Sequence, residues 1–152
     1  MTPLEKLIQL GFELPPSPKA IASYIPANIS GKLIFTSGQL PLKDGKLIFT
    51  GKLGKEVDMD GGKKCAIVAC LNALSAINGL VGDLNKISRI IKIGVFVAGT
   101  PDFTEHHLIA NSASDLLVSI WGDNGKHARF SLGVSALPLD APVELEMIAE
   151  IQ

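Results

Sequence analysis

A chain of 152 residues with a formal net charge of −1 suits one domain with a real hydrophobic core. Its longest basic run is the doublet Lys63-Lys64, so no phosphate-tracking surface is encoded and nucleic acid is not an expected partner. Apolar residues make up 47% of the chain and aromatic residues only 5%, so burial rests on Leu, Ile, Val and Ala in an amount that hints at subunit interfaces.

The opening Met1-Thr-Pro-Leu-Glu-Lys lacks the charged segment and apolar core of a secretory signal, and no apolar run approaches the ~20 residues that span a bilayer. The expected setting is therefore the cytoplasm, away from membranes. Thr2-Pro3-Leu4-Glu5 is a capping box with proline at the first helical position, and Gly11 ends the short helix that it starts. Leu4, Leu7 and Ile8 give that helix one sticky face, suited to a lid or a packing appendage. The prolines of Glu13–Pro18 forbid regular structure and make a stiff connector, so residues 1–18 precede the main body of a single domain over 1–152.

Ala20–Pro26 reads as an edge strand, and Leu33–Gln39 as a stronger one interrupted at Gly38. Lys43-Asp44-Gly45-Lys46 is a hairpin turn in which positive φ is cheap, with Leu47–Thr50 returning. After the Gly51–Gly54 loop, a helix is predicted from Asp58 or Asp60 to about Gly79. Ile67, Cys70, Leu71, Leu74, Ile77 and Val81 form its stripe, and Ala66, Ala69, Ala73 and Ala76 its flank. At ~100° per residue, Cys65 and Cys70 stand about 140° apart on that helix, which argues for two buried thiols in a reducing compartment rather than a disulfide.

Ile87–Val97 is a long apolar strand. Thr100–Phe103 and Asp102-x-x-Glu105 carry helix-start signals, and a helix follows from about Ser112 to Trp121, stopped by Gly122. The last quarter reads as two strands joined by a short Pro/Asp turn. Arg129, Ser131 and Gly133 alternate with Phe130, Leu132 and Val134, then Val143, Leu145, Met147 and Ala149 alternate with Glu144, Glu146 and Ile148. The order β-β-β-α-β-α-β-β predicts an α+β fold: a mixed sheet with two helices on one face, plus the N-terminal helix. The other sheet face is left uncovered, which predicts association.

Arg129 and Glu144 are charges in apolar strands, where an unpaired charge is expensive to bury. They pair with each other, stay exposed, or serve a ligand; an ion pair from Arg129 to Glu144 or Glu146 on a neighbouring strand is one outcome. His106-His107 has no third ligand at metal spacing, and no Gly-x-Gly-x-x-Gly exists, so neither a metal nor a nucleotide cofactor is expected. Tyr24 is the only tyrosine, suited to packing or to donating a hydrogen bond.

Several stretches together resemble the RidA/YjgF imine deaminases: Tyr24, Thr36-Ser37-Gly38-Gln39-Leu-Pro41, Val95-Phe96-Val97, and the long closing pattern from Ala128-Arg129-x-Ser131 through Leu137-Pro138-x-Asp140 to Val143-Glu144-x-Glu146-x-Ile148-Ala149. The longer branch of that family is the nearer likeness, on the N-terminal helix, Gly51-Lys-Leu-Gly54, Ala113-Ser-Asp-Leu-Leu117 and Gly125-Lys-His-Ala-Arg129. The resemblance implies a chorismate-mutase-like fold assembled as a homotrimer with clefts between subunits. It also implies cofactor-free hydrolysis of 2-imino or enamine acids to 2-keto acids and ammonia.

On that resemblance Arg129 holds the substrate carboxylate and Glu144 directs water. Tyr24 and Ser37 line the cleft, Gly38 lets backbone approach the ligand, and a backbone donor near Ser131 assists, Ser131 standing where some relatives carry cysteine. The alternative is a non-catalytic binder or regulator that holds a small carboxylate in the same cleft. RNA cleavage, also attached to the family's name, fits poorly with the absent basic surface. Ala22-Ser23-Tyr24 and the bulky Phe130 depart from the family's pattern, and the longer Thr104–Ser112 segment leaves Asn111 without an assigned role.

Overall fold

A computed structural model describes residues 1–19 and 23–152. Helix α1 (Pro3–Gln9) has the expected capping box: Thr2 Oγ1 accepts from the Glu5 amide at 3.2 Å, and Glu5 Oε2 accepts from the Thr2 amide at 2.8 Å. Leu7 is buried, and the Leu4 amide donates to Asn85 Oδ1, docking α1 beside the turn Leu84–Lys86. The helix is a packing appendage at the end of the molecule where the longest strand begins. The Pro-rich connector is tied along the second helix, where Ser75 Oγ donates to Pro15 O and Ser17 Oγ donates to Ser75 O.

Strands β1 (Ala27–Ser30) and β2 (Leu33–Thr36) form a hairpin. The edge strand expected at Ala20–Pro26 lies partly outside the described residues; Tyr24 makes an isolated bridge, and the continuous ladder with β2 begins at Ala27, just past Pro26. The Asp44-Gly45 turn is present, with both φ angles positive, but it joins only β3 (Leu42–Lys43) to β4 (Lys46–Leu47), apart from the main sheet. Leu47–Thr50 is therefore not a returning strand of that sheet.

Helix α2 (Met59–Val81) is capped by Asp58, whose side chain accepts from the Gly61 amide, and ends on Gly82 at φ 81°. The small residues Ala66, Ala69, Ala73 and Ala76 are buried with Cys65, Cys70, Leu74 and Ile77, whereas Ile67 and Val81 lie toward its margin. The alanine flank is thus the contact face, letting α2 sit close against both the sheet and its neighbouring helix. By length and composition alone α2 could cross a bilayer, contrary to the expectation that no apolar segment is long enough; here it is the core helix. Burial pushes both free thiols up to about 12, so they are inert.

Strand β5 (Ile87–Ala98) leads to α3 (His106–Trp121), which starts at His106, well before Ser112. The expected boundary fails because Ile109, Ala110, Ala113, Leu116, Leu117 and Ile120 form one buried stripe that runs through Asn111-Ser-Ala-Ser-Asp115. The polar residues of that segment occupy the other side of the helix rather than its cap. Gly122, at φ 59°, ends α3 as expected.

Strands β6 (Ala128–Val134) and β7 (Val143–Ile151) complete the sheet, whose order is β1-β2-β7-β5-β6. Only β5 and β6 are parallel, as a β-α-β crossover requires. The two terminal strands are not neighbours: residues 135–142 wrap the end of β5, where the Ala98 amide donates to Pro142 O at 2.9 Å. Ile93, Val95, Val97, Val143, Leu145, Met147 and Ala149 face α2 and α3 as the core. The opposite face carries Phe35, Lys92, Phe96, Phe130, Leu132, Glu144, Glu146 and Ile148 with no layer over it. This is the α+β arrangement expected from the sequence: a mixed sheet with two helices on one face, plus the N-terminal helix.

Candidate active site

Glu144 sits near the start of β7, opposite Phe96 and on the uncovered face. The β2–β7 ladder breaks after Phe35, and backbone pairing resumes at the Gln39–Leu145 bridge next to Glu144. The glutamate side chain lies over Gly38 at the end of this break. A Cβ built on Gly38 would lie 2.5 Å from Glu144 Oε1, so only glycine lets the carboxylate lie over this backbone.

Ser37 is fixed here by its amide donating to Pro26 O at 2.8 Å and its hydroxyl donating to Ile25 O. Tyr24, 59% exposed, lines a recess with Asn28, Phe35 and Ser37. Burial lifts the Glu144 carboxyl above the usual glutamate range, and the neighbouring Glu146 charge adds to the lift. Among the described residues no cation pairs with Glu144.

Arg129 belongs to a second cluster. It stands on the edge strand β6, in register with the buried Ile93, so its side chain leaves the sheet on the helix side. Its Nη1 donates to Asn111 Oδ1 at 2.8 Å and to Ser114 Oγ at 3.1 Å, both on α3. Ser131 and Gly133 follow on the same face, with His106 close over Gly133. Phe130 points the other way, over Gly94 and edge-on to Phe96 at 5.2 Å, with Lys92 Nζ 5.5 Å above its ring.

The structure therefore brings Glu144 against Gly38, with the adjoining Ser37 lining a recess with Tyr24, and it places Arg129 with Ser131 in a separate cluster. Arg129 and Glu144 are separated by β5, about 10 Å of strand spacing, and open on opposite sheet faces. This removes the possible ion pair from Arg129 to Glu144 or Glu146, since neither glutamate is on a neighbouring strand. Arg129 bonds neutral oxygens instead. Asn111, Ser114 and His127, which carry no assigned role in the sequence reading, complete the arginine's surroundings. The three-residue spacing of Asn111 and Ser114 was the available signal, since it puts both on one helix face. Among the described residues no group of His, Cys, Asp or Glu is placed to hold a metal.

Residues 5–151 match the family described as "YjgF/chorismate_mutase-like, putative endoribonuclease", and the chain belongs to this RidA/YjgF family. Protein TCP17 of Trypanosoma cruzi is 37% identical over 146 residues, covering 95% of this chain and 91% of that one. The crystal structure of Atu1372 from Agrobacterium tumefaciens is 42% identical with a TM-score of 0.91, covering 99% of this chain and 92% of that one. E. coli TdcF, solved with bound serine, is 25% identical with a TM-score of 0.64, covering 90% of this chain and 94% of that one.

Proposed function

We propose that the protein hydrolyses small 2-imino acids, or their enamine tautomers, to 2-keto acids and ammonia, in a cleft built between two copies of the chain. The observation that carries this is Glu144: a half-buried carboxylate with a raised pKa and no cationic partner among the described residues, held over Gly38 next to Ser37. A carboxylate so placed can take a proton from water near neutral pH. Arg129 stands at a free sheet edge, where the guanidinium of one copy can reach the uncovered face of the next.

Arg129 binds the substrate carboxylate in a charge-assisted fork and so aims the imine carbon at the glutamate of the adjacent copy. Glu144 accepts a proton as water oxygen bonds to that carbon, and returns it to nitrogen. The resulting carbinolamine loses ammonia as the C–N bond breaks and the C=O bond forms. Tyr24 and Ser37 shape the cleft, and backbone beside Ser131 offers a further donor. No cofactor enters these steps.

The proposed assembly is a homotrimer, which would cover Phe35, Phe96, Phe130 and Leu132 on the open face. Its setting is the cytoplasm, where Cys65 and Cys70 stay reduced. The serine bound to TdcF supports a ligand of amino-acid size, and a net charge of −1 supports one other than nucleic acid.

Ammonia release from 2-iminopropanoate generated in situ tests the proposal, with wild type and Arg129→Ala side by side. Turnover by wild type and loss of at least a hundredfold in kcat/KM for the folded variant are expected, the loss of a charge-assisted fork costing about 3 kcal/mol or more. Ligand binding by calorimetry without ammonia release would instead make the protein a non-catalytic carboxylate binder.

A further inference from the structure

Arg129 is the end of a chain of hydrogen bonds that runs back through α3 to the turn before β6. His127 Nδ1 lies 2.6 Å from Gly125 O, and a carbonyl can only accept, so Nδ1 carries the proton. In the neutral ring Nε2 is then an acceptor, and it lies 2.9 Å from Ser114 Oγ. The Ser114 hydroxyl donates to it, leaving the serine oxygen to accept from Arg129 Nη1 at 3.1 Å. The second hydrogen of Nη1 goes to Asn111 Oδ1. From Arg129 Nη1 through Ser114 and His127 to Gly125 O, each donor in turn meets an acceptor.

We infer that His127 and Ser114 are positioning residues that set the direction of the Arg129 fork. With both Nη1 hydrogens held by α3, the edge formed by Nε and Nη2, which bonds nothing among the described residues, is left as the two-pronged donor that a carboxylate needs. The arginine is a long, mobile side chain on an edge strand, and the clamp removes its rotational freedom before ligand arrives.

A protonated imidazole would reverse the chain. Nε2 would then donate to Ser114, whose hydrogen would have to turn away, and a second cation would stand one serine from the guanidinium. The charged groups around His127 are Arg129 through Ser114, Lys126 and Asp123 in the preceding turn, which pair at 2.9 Å, and Arg89 of β5 across a shared recess. The clamp therefore belongs to the neutral form of His127. The role in substrate binding rests on the proposed deaminase function; the position of the guanidinium does not.

The chain has only two arginines, Arg89 and Arg129, so their side-chain N–H signals are readily assigned by NMR. In wild type, Arg129 should show slow rotation about Cζ–Nη with distinct Nη resonances. Ser114→Ala and His127→Asn should speed that rotation about tenfold, whereas His127→Gln, whose amide oxygen reaches where Nε2 stood, should keep it within about threefold of wild type. His127→Asn preserves the bond to Gly125 and Gln the bond to Ser114, so the pair separates a role in the turn from a role in aiming the arginine.

In parallel, Ser114→Ala and His127→Asn should raise KM for 2-iminopropanoate about five- to tenfold with kcat changed less than threefold. Unaltered Arg129 rotation in both variants, or loss in Gln with retention in Asn, would overturn the clamp. Loss of the clamp signal with no effect of Arg129→Ala on turnover or on pyruvate binding would uphold the clamp and overturn the deaminase assignment instead.

Discussion

At the scale of single residues, the proposed chemistry depends on how Glu144 is held. Its carboxylate is partly removed from water and lies near Glu146, and both effects favour the protonated form. A base must be ionised to act, so turnover should rise with pH through an apparent pKa above that of an ordinary glutamate. Glu146→Gln removes the like charge and should move this acid limb to lower pH, which a kcat/KM profile would register; an unmoved limb would assign the titration elsewhere. Linkage gives a second consequence. A carboxyl whose folded pKa is raised contributes stability below its unfolded pKa and loses it as pH rises through the folded value. Glu144→Gln should therefore raise Tm relative to wild type at pH 7.5 but not at pH 4, while removing activity at both. Gly38→Ala should act on the same carboxylate from below, pushing it off the backbone and lowering kcat at least tenfold with little change in Tm, because the site faces solvent.

At the scale of elements, the strands and helices follow from residue periodicity, and their order in the sheet follows from crossover geometry. Alternation over Arg129–Val134 and Val143–Ala149 correctly separates core-facing from outward side chains on each strand. Period alone carries no information on which strand lies beside which, and the Pro138–Asp140 turn suggests a hairpin where the chain instead passes round the end of β5. That single step decides that Arg129 and Glu144 face opposite ways. Helix α3 shows the complementary failure: Asn111-Ser-Ala-Ser-Asp115 has the composition of a cap, but the buried stripe beneath it continues unbroken. Thr36 was legible only as a strand residue, yet its buried Oγ1 accepts from the Met147 amide at 3.0 Å where the β2–β7 ladder breaks. Thr36→Val keeps the shape and orphans that amide, so urea denaturation should show a loss of about 1–3 kcal/mol. A neutral result would mean that water or a shifted ladder replaces the hydroxyl.

At the scale of the whole molecule, the motif residues were legible in the sequence because they cluster in two short stretches, 24–39 and 129–144. Their division between two faces was not, since it arises only once the sheet is assembled. On the proposed mechanism a single subunit holds two half-sites, and both are needed in one cleft. This makes a quantitative statement about mixtures. Arg129→Ala and Glu144→Ala should each be inactive alone, because every cleft lacks one member. If subunits are mixed in equal amounts and allowed to exchange, a cleft is intact when its arginine comes from the glutamate variant and its glutamate from the arginine variant. Random assembly into any closed ring gives about a quarter of the clefts that composition. Ammonia release should recover to about a quarter of the wild-type rate, with the recovery following the time course of subunit exchange. If both residues served one cleft within a single chain, no mixture could restore an intact site and the rate would stay at the level of the separate variants. Leu132→Asp, placed on the open apolar face, should abolish the recovery by preventing association, and light scattering should then show monomers.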